Sequence, residues 1–298
     1  MIPSRFRNKP PKREVDRLGK ISVESCRAVL EYALPLLAQE PCPPCEGAGI
    51  VVAAGGKYLK QCWASVRMTR RVTDLPIQIW HLGKGEVSQR DRENFEGLGV
   101  EFVDVYDHLD EHPSFAMSGW PSKSFSVAYC PFRHILQLDA DAYPLVDPME
   151  LFNSDDYKRT GSIHFQDIQK VRNNDMIFPC MGIKRPPDFK EIEVGQVLYD
   201  KARLWKALRL TVFMNSHPEC FYKLSHGDTI LYVIALMKFG LPFVVGDKPT
   251  WHGWGMQHAL SGRPVFRHYM NGKRNGGFPP EIQELFREYD QLNNSVYA

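Results

Sequence analysis

The chain has no long apolar run. None of its hydrophobic stretches approaches the roughly 20 residues that cross a bilayer, so no membrane span is expected. The basic N-terminal residues are not followed by an apolar core of the secretory kind, so no leader peptide is expected either. Cysteine is scattered and odd in number, seven in all. That argues against a disulfide framework and for a reducing compartment, the cytoplasm of the protein's own cell or of a host. Cys42 and Cys45 have ligand-like spacing, but no second pair matches them and a structural zinc site needs about four ligands. A proline-stiffened loop with two thiols is the expectation. Internal repeats and low-complexity tracts are also absent. The net charge of +2 gives no global pull toward nucleic acid or membrane.

The charge is unevenly spread. Residues 1–20 carry seven Lys or Arg against Glu14 and Asp16, which makes this arm +5 and the remainder −3. A solvated tail is the expected reading, and an arm for an anionic partner the sharper alternative. The other 278 positions, 21–298, are enough for one sizeable domain.

The pattern predicts a helix over 21–40, kinked or ended by Pro35. A breaker-rich connector follows at 41–49. Strands are predicted at 49–54 (GIVVAA), 75–83 (LPIQIWHLG), 100–105 (VEFVDV) and 133–141 (RHILQLDAD), with a helix over 57–71. Alternating strands and helices imply an α/β domain with a mostly parallel sheet. Ligands of such sheets bind beyond the carboxyl ends of the strands. The Gly55-Gly56 turn, the Asp104–Asp107 region, Asp139 and Asp141 all fall on that edge. An apolar strand ending in Asp-x-Asp delivers two carboxylates side by side. Their repulsion is relieved by a divalent cation, and hard oxygen ligands suit Mg²⁺ or Mn²⁺, ions that commonly sit on substrate phosphates.

The segment GWPSKSFSVAYCPFRHILQLDADAYPLVDPMELFNSDDYKRTGSIHFQD, residues 119–167, resembles the core of the fungal-type α-mannosyltransferases. Trp120, Lys123, Asp139, Asp141, Pro144, Asp147, Pro148, Leu151, Phe152, Gly161 and Asp167 match the pattern. EIEVGQVLYDKARLWKAL (191–208) resembles the family's Glu-x-Gly-Gln stretch, HGDTILYVIAL (226–236) its Gly-Asp-Lys segment with Thr229 in place of Lys, and GIVVAAGGKYLKQCWASVRMTRR its opening strand and helix. The resemblance implies a retaining glycosyltransferase of the GT-A fold. It would be a single domain over 21–298, with a nucleotide-binding half at about 48–145 and an acceptor half at about 146–280. It implies Mn²⁺ or Mg²⁺ as cofactor and a UDP- or GDP-linked hexose as donor. The acceptor would be a hydroxyl of a glycan, a protein, a lipid-linked sugar or a modified DNA base.

Roles follow for particular residues. A nucleoside diphosphate leaves with developing charge, and a metal on its β-phosphate neutralises that charge. Asp141 is the expected direct ligand, with Asp139 on the metal or the ribose. VFRHYMNGKRNGG (265–277) resembles the His…Gly…Lys segment of glycogenin-like retaining transferases, which puts His268 on the metal and Lys273 on the diphosphate. His252 and His258 compete for the same role. Lys123 is expected to pair with the phosphates or with Asp139, and Gly55 to border the nucleotide. Arg67, Arg70 and Arg71 read mostly as solvated, with phosphate contact as the alternative. On the acceptor side Asp228 leads, then Gln196, then Glu193; capping of the next helix is the bland reading of Asp228. Three further readings stand beside these: a transferase acting on hydroxymethylated DNA bases, a nucleotidyltransferase, and a non-catalytic nucleotide-sugar binding protein.

Overall fold

The computed structural model describes residues 22–111, 119–168, 176–225, 227–269 and 277–294. The basic arm and Lys273 lie outside the described residues. Helix α1 (Val23–Gln39) is opened by Ser22, whose side chain accepts from the Ser25 amide, and it buries Cys26, Leu30, Ala33 and Leu37 at helical spacing. Pro35 does not end it. Buried Ala33 and Leu37 anchor the helix on either side of the missing N–H, so of the two expected effects of Pro35 the ending does not occur.

The next elements are β1 (Glu46–Ala53), α2 (Leu59–Thr69), β2 (Ile77–His81), β3 (Val100–Asp104), α3 (Gly119–Tyr129) and β4 (Phe132–Leu138). All four predicted strands are present. β1 pairs in parallel with β2 and β4, and β2 in parallel with β3. Ile50, Val51, Val52, Ile135, Leu136 and Leu138 are buried, the continuous apolar run of strands covered on both faces.

The rest of the chain contributes β5 (Ala142–Pro144), β6 (Ser162–Gln166), β7 (Ile192–Asp200), α4 (Lys201–Ser216), α5 (Leu231–Lys238), β8 (Val244–Val245), β9 (Thr250–His252), β10 (Gly255–Leu260), β11 (Arg263–His268) and α6 (Pro280–Asn294). The main sheet runs β3-β2-β1-β4-β7-β6-β8, and a second runs β5-β11-β10-β9. In the main sheet β7 is reversed against both neighbours, while β6 and β8 are parallel to each other. Helices α3, α4 and α5 pack together, and α6 packs on α2.

The reversal of β7 positions the site. A parallel neighbour would bring its carboxyl end to the ligand edge, whereas β7 brings its first half. Gln196 pairs with Leu138, the last residue of β4, and the Asp139 amide donates to the Gly195 carbonyl at 2.7 Å. The small sheet completes the edge. His268 pairs with Ala142, next to Asp141, and the Tyr269 amide donates to the Asp141 carbonyl.

Candidate active site

Three strand ends meet at this edge. Asp139 and Asp141 follow β4, Glu193 lies in β7, and His268 ends β11. One ligand atom each from Asp139, Glu193 and His268 lies within 4.8 Å of the other two. His268 Nε2 is 3.2 Å from Asp141 Oδ1, and His268 Nδ1 is 3.6 Å from Glu193 Oε1. Lys123, projecting from α3, forms an ion pair with Asp139 Oδ1 at 2.5 Å.

The close approach depends on Gly195. A Cβ at that position would stand 2.6 Å from the His268 ring and 2.9 Å from Glu193 Oε1. The same glycine donates its amide to Glu193 Oε1 at 2.7 Å, which fixes the carboxylate.

Burial governs the electrostatics. His268, Asp141, Glu193 and Asp228 are all buried. Burial acts to lower the His268 pKa, but Asp141 and Glu193 outweigh it and raise it to about 9. Burial pushes Glu193 above the usual carboxylate range, opposed by His268 and reinforced by Asp139. Asp228 is raised by burial, opposed by Lys123 and reinforced by Asp139. Burial alone would lower the Lys123 pKa, yet Asp139, Asp228 and Glu193 together raise it. Four carboxyls, Asp139, Asp141, Glu193 and Asp228, thus gather around one lysine and one imidazole, and a nitrogen with carboxylate oxygens as donors fits a divalent cation.

Beside the cluster are polar groups in search of partners. Both amide atoms of Gln196 and one carboxylate oxygen of Asp228 are buried with no hydrogen-bond partner among the described residues. Buried groups of this kind are costly unless satisfied. The Asp228 side chain does not cap α5, so the bland reading of that residue does not apply.

Other sequence candidates have different surroundings. Gly55 is buried at the end of β1, where a Cβ would meet Glu86 Oε2 at 2.3 Å; Glu86 in turn accepts from the Leu82 amide. Gly55 thus admits the Glu86 side chain. Arg70 is not a solvated cation: it donates to the carbonyls of Thr73, Leu75, Leu98 and Gly99 and ties α2 to two loops. Arg67 pairs with Glu288 of α6 at 2.7 Å. His258 is buried against Phe165, and His252 is exposed and stacked on Trp254; neither belongs to the cluster. Glu193, weighed from the sequence for the acceptor side, stands on the His268 side. Its i+2 spacing to Gly195, with both residues on one strand face, was the available signal.

A mostly parallel α/β sheet with one reversed strand, carrying Asp-x-Asp beyond its fourth strand, is the GT-A glycosyltransferase fold. Within that class the chain is similar in sequence to the fungal-type α-mannosyltransferases. Residues 47–191 match the family model described as "Mannosyltransferase putative". The chain is 21% identical to the α-1,2-mannosyltransferase MNN2 of Saccharomyces cerevisiae, over 75% of this chain and 45% of that protein. It is 23% identical to the α-1,2-mannosyltransferase MNN24 of Candida albicans, over 66% of this chain and 34% of that protein. The chain therefore spans less than half the length of these relatives. Among solved structures, the galactosyltransferase LgtC, determined with donor and acceptor sugar analogues, is 16% identical over 67% of this chain and 73% of that one, with a TM-score of 0.49.

Proposed function

We propose that this chain transfers a hexose, mannose by its sequence kinship, from a nucleoside diphosphate sugar to an acceptor hydroxyl. The observation that carries the reading is the convergence of Asp139, Glu193 and His268 at the ligand edge, within ion-pairing reach of Lys123. The sequence similarities favour glycosyl transfer over the nucleotidyltransferase, DNA-base-modifying and non-catalytic readings.

Asp139, Glu193 and His268 would hold a divalent cation, with Asp141 orienting the imidazole through Nε2 or joining the ligands. The cation, when bound, supplies Lewis-acid neutralisation of the leaving diphosphate. The protein's own groups do the rest. Lys123 is a fixed cation that exchanges its pairing between Asp139 and a phosphate oxygen, and its raised pKa keeps it charged. Gln196 and Asp228 offer unsatisfied polar atoms to sugar hydroxyls. Enclosure of these groups strengthens every such contact and limits competing water. The α-linkages in the relatives' names favour retention, with Asp228 and Gln196 the groups nearest the reacting face in role.

The test is a donor screen. Purified protein with Mn²⁺ is offered UDP- and GDP-linked hexoses, and released nucleoside diphosphate is measured with and without sugar acceptors. A single preferred donor whose turnover requires Mn²⁺ and is lost in Asp139→Ala supports the reading. Absence of turnover and of nucleotide binding with every donor overturns it.

A further inference from the structure

The chain has six tryptophans. Trp63, Trp80 and Trp205 are buried, and Trp254 is partly covered. The two that stand open are Trp120, 54% exposed, and Trp251, 44% exposed. Trp120 lies on the helix that carries Lys123, and Trp251 on the small sheet that carries His268.

Trp120 opens α3 one turn before Lys123, and residues three apart on a helix share a face. Two atoms of its indole lie 3.3 and 3.6 Å from where a Cβ on Gly227 would be, directly before Asp228. Its edge rests on Tyr222, with centroids 5.7 Å apart. Trp120 thus rims the Lys123–Asp228 side of the site.

Trp251 rims the other side. Strand register aligns Ala142, His268, Met256 and Trp251 in one row across the small sheet. Directly paired residues of an antiparallel ladder share a face. Trp251 therefore stands on the face that carries His268, two strands further out, at about 10 Å from the ~4.8 Å strand spacing. Buried Met256 fills the row between them. Large exposed indoles beside a polar site are a marker of a contact surface.

We propose that Trp120 and Trp251 are the two walls of an acceptor subsite for an oligosaccharide. The proposal rests on the glycosyl-transfer reading above and specifies its acceptor. A pyranose presents C–H-rich faces, and the electron-rich face of an indole attracts the edges of such groups. The donor sugar belongs with the buried atoms of Gln196 and Asp228, while both indoles lie outside them. One hexose delivering its hydroxyl to the cluster meets Trp120, but it cannot also cover an indole about 10 Å beyond His268. Two or more linked sugars can, with the reacting unit at Trp120 and a preceding unit at Trp251.

Indole ¹⁵N–¹H resonances, assigned with Trp120→Phe and Trp251→Phe, report this directly. Manno-oligosaccharides of one to three units are titrated in the presence of nucleoside diphosphate and Mg²⁺. The trisaccharide should shift the signals of both Trp120 and Trp251, the monosaccharide that of Trp120 alone, and neither should move Trp63 or Trp80. In kinetics with Mn²⁺, Trp251→Ala should raise the trisaccharide KM roughly tenfold, with a smaller effect for shorter acceptors, and Trp251→Phe should restore most of it. Silent Trp120 and Trp251 resonances, or a trisaccharide KM indifferent to Trp251→Ala in an enzyme that transfers sugar, overturn the acceptor assignment alone. A protein that neither binds nucleoside diphosphate nor turns over any donor overturns the glycosyl-transfer reading as well.

Discussion

At the scale of single residues, Gly195 sets the spacing of the cluster. It donates to Glu193, accepts from Asp139 and leaves the space the His268 ring fills. Gly195→Ala should force the imidazole away while the strand persists. The expected result is a loss of roughly 10–100-fold in Mn²⁺-dependent nucleotide affinity, measured calorimetrically, with an unchanged circular dichroism spectrum. Unchanged affinity would mean that His268 is not held for a ligand. His164 supplies a separate test, away from the cluster. It is buried, its Nε2 is 2.8 Å from the Ser162 hydroxyl, and its ring meets Tyr199 and Phe243 edge-on. Burial lowers its pKa to about 3. The folded form stays neutral while the unfolded chain gains a proton below about pH 6.5. This contribution to stability is therefore complete above that pH and is lost as pH falls toward 3, at up to about 1.4 kcal/mol per pH unit. Urea midpoints should fall between pH 7 and 5, and His164→Gln should flatten that slope; an equal slope in the variant contradicts the assignment. Single residues were also where sequence reading was uneven. Asp139 and Asp141 announced themselves because a buried strand ending in paired carboxylates has few structural reasons. Arg70 did not, because four backbone carbonyls brought together by two loops leave no pattern in the sequence.

At the scale of elements, the parallel half was legible and the antiparallel half was not. β1 and β4 read as short continuous apolar runs between breakers, the pattern of a strand covered on both faces. β7 has the same composition, but it leads directly into α4 through Asp200, which caps that helix. With no breaker between them, the strand and helix merge into one stretch, and nothing local reveals that β7 runs backwards. The small sheet was hidden for another reason: its strands are short and its core contact lies more than 120 positions away, between His268 and Ala142. Its neighbour α6 carries the element-level prediction. It lies on α2 through buried Ile282, Leu285 and Tyr289 and through the pairs Arg67–Glu288 and Lys60–Asp290. The two ion pairs are partly solvated and contribute little, so the apolar face dominates. Leu285→Ala should cost about 2–4 kcal/mol in chemical denaturation, whereas Asp290→Ala should cost less than about 1. Equal costs would show that the helix is held by charge.

At the scale of the molecule, two sheets divide the labour. The parallel half delivers Asp139 and, through α3, Lys123; the reversed strand delivers Glu193; the small sheet delivers His268. The basic residues before Ser22 precede α1 in the chain, so a chain lacking residues 1–21 should bind nucleoside diphosphate within about twofold of the full chain. A tenfold weaker affinity would assign the arm to the site. The central claim is that the three strand ends form one cation site for a nucleoside diphosphate. Its most direct test is a Mn²⁺ titration followed by electron paramagnetic resonance, with and without UDP or GDP, on the wild type, Asp139→Ala and His268→Ala. The wild type should bind one Mn²⁺ per chain, more tightly with one of the nucleotides, and each substitution should weaken that binding by roughly 10–100-fold. Wild-type Mn²⁺ affinity in both variants would contradict the account.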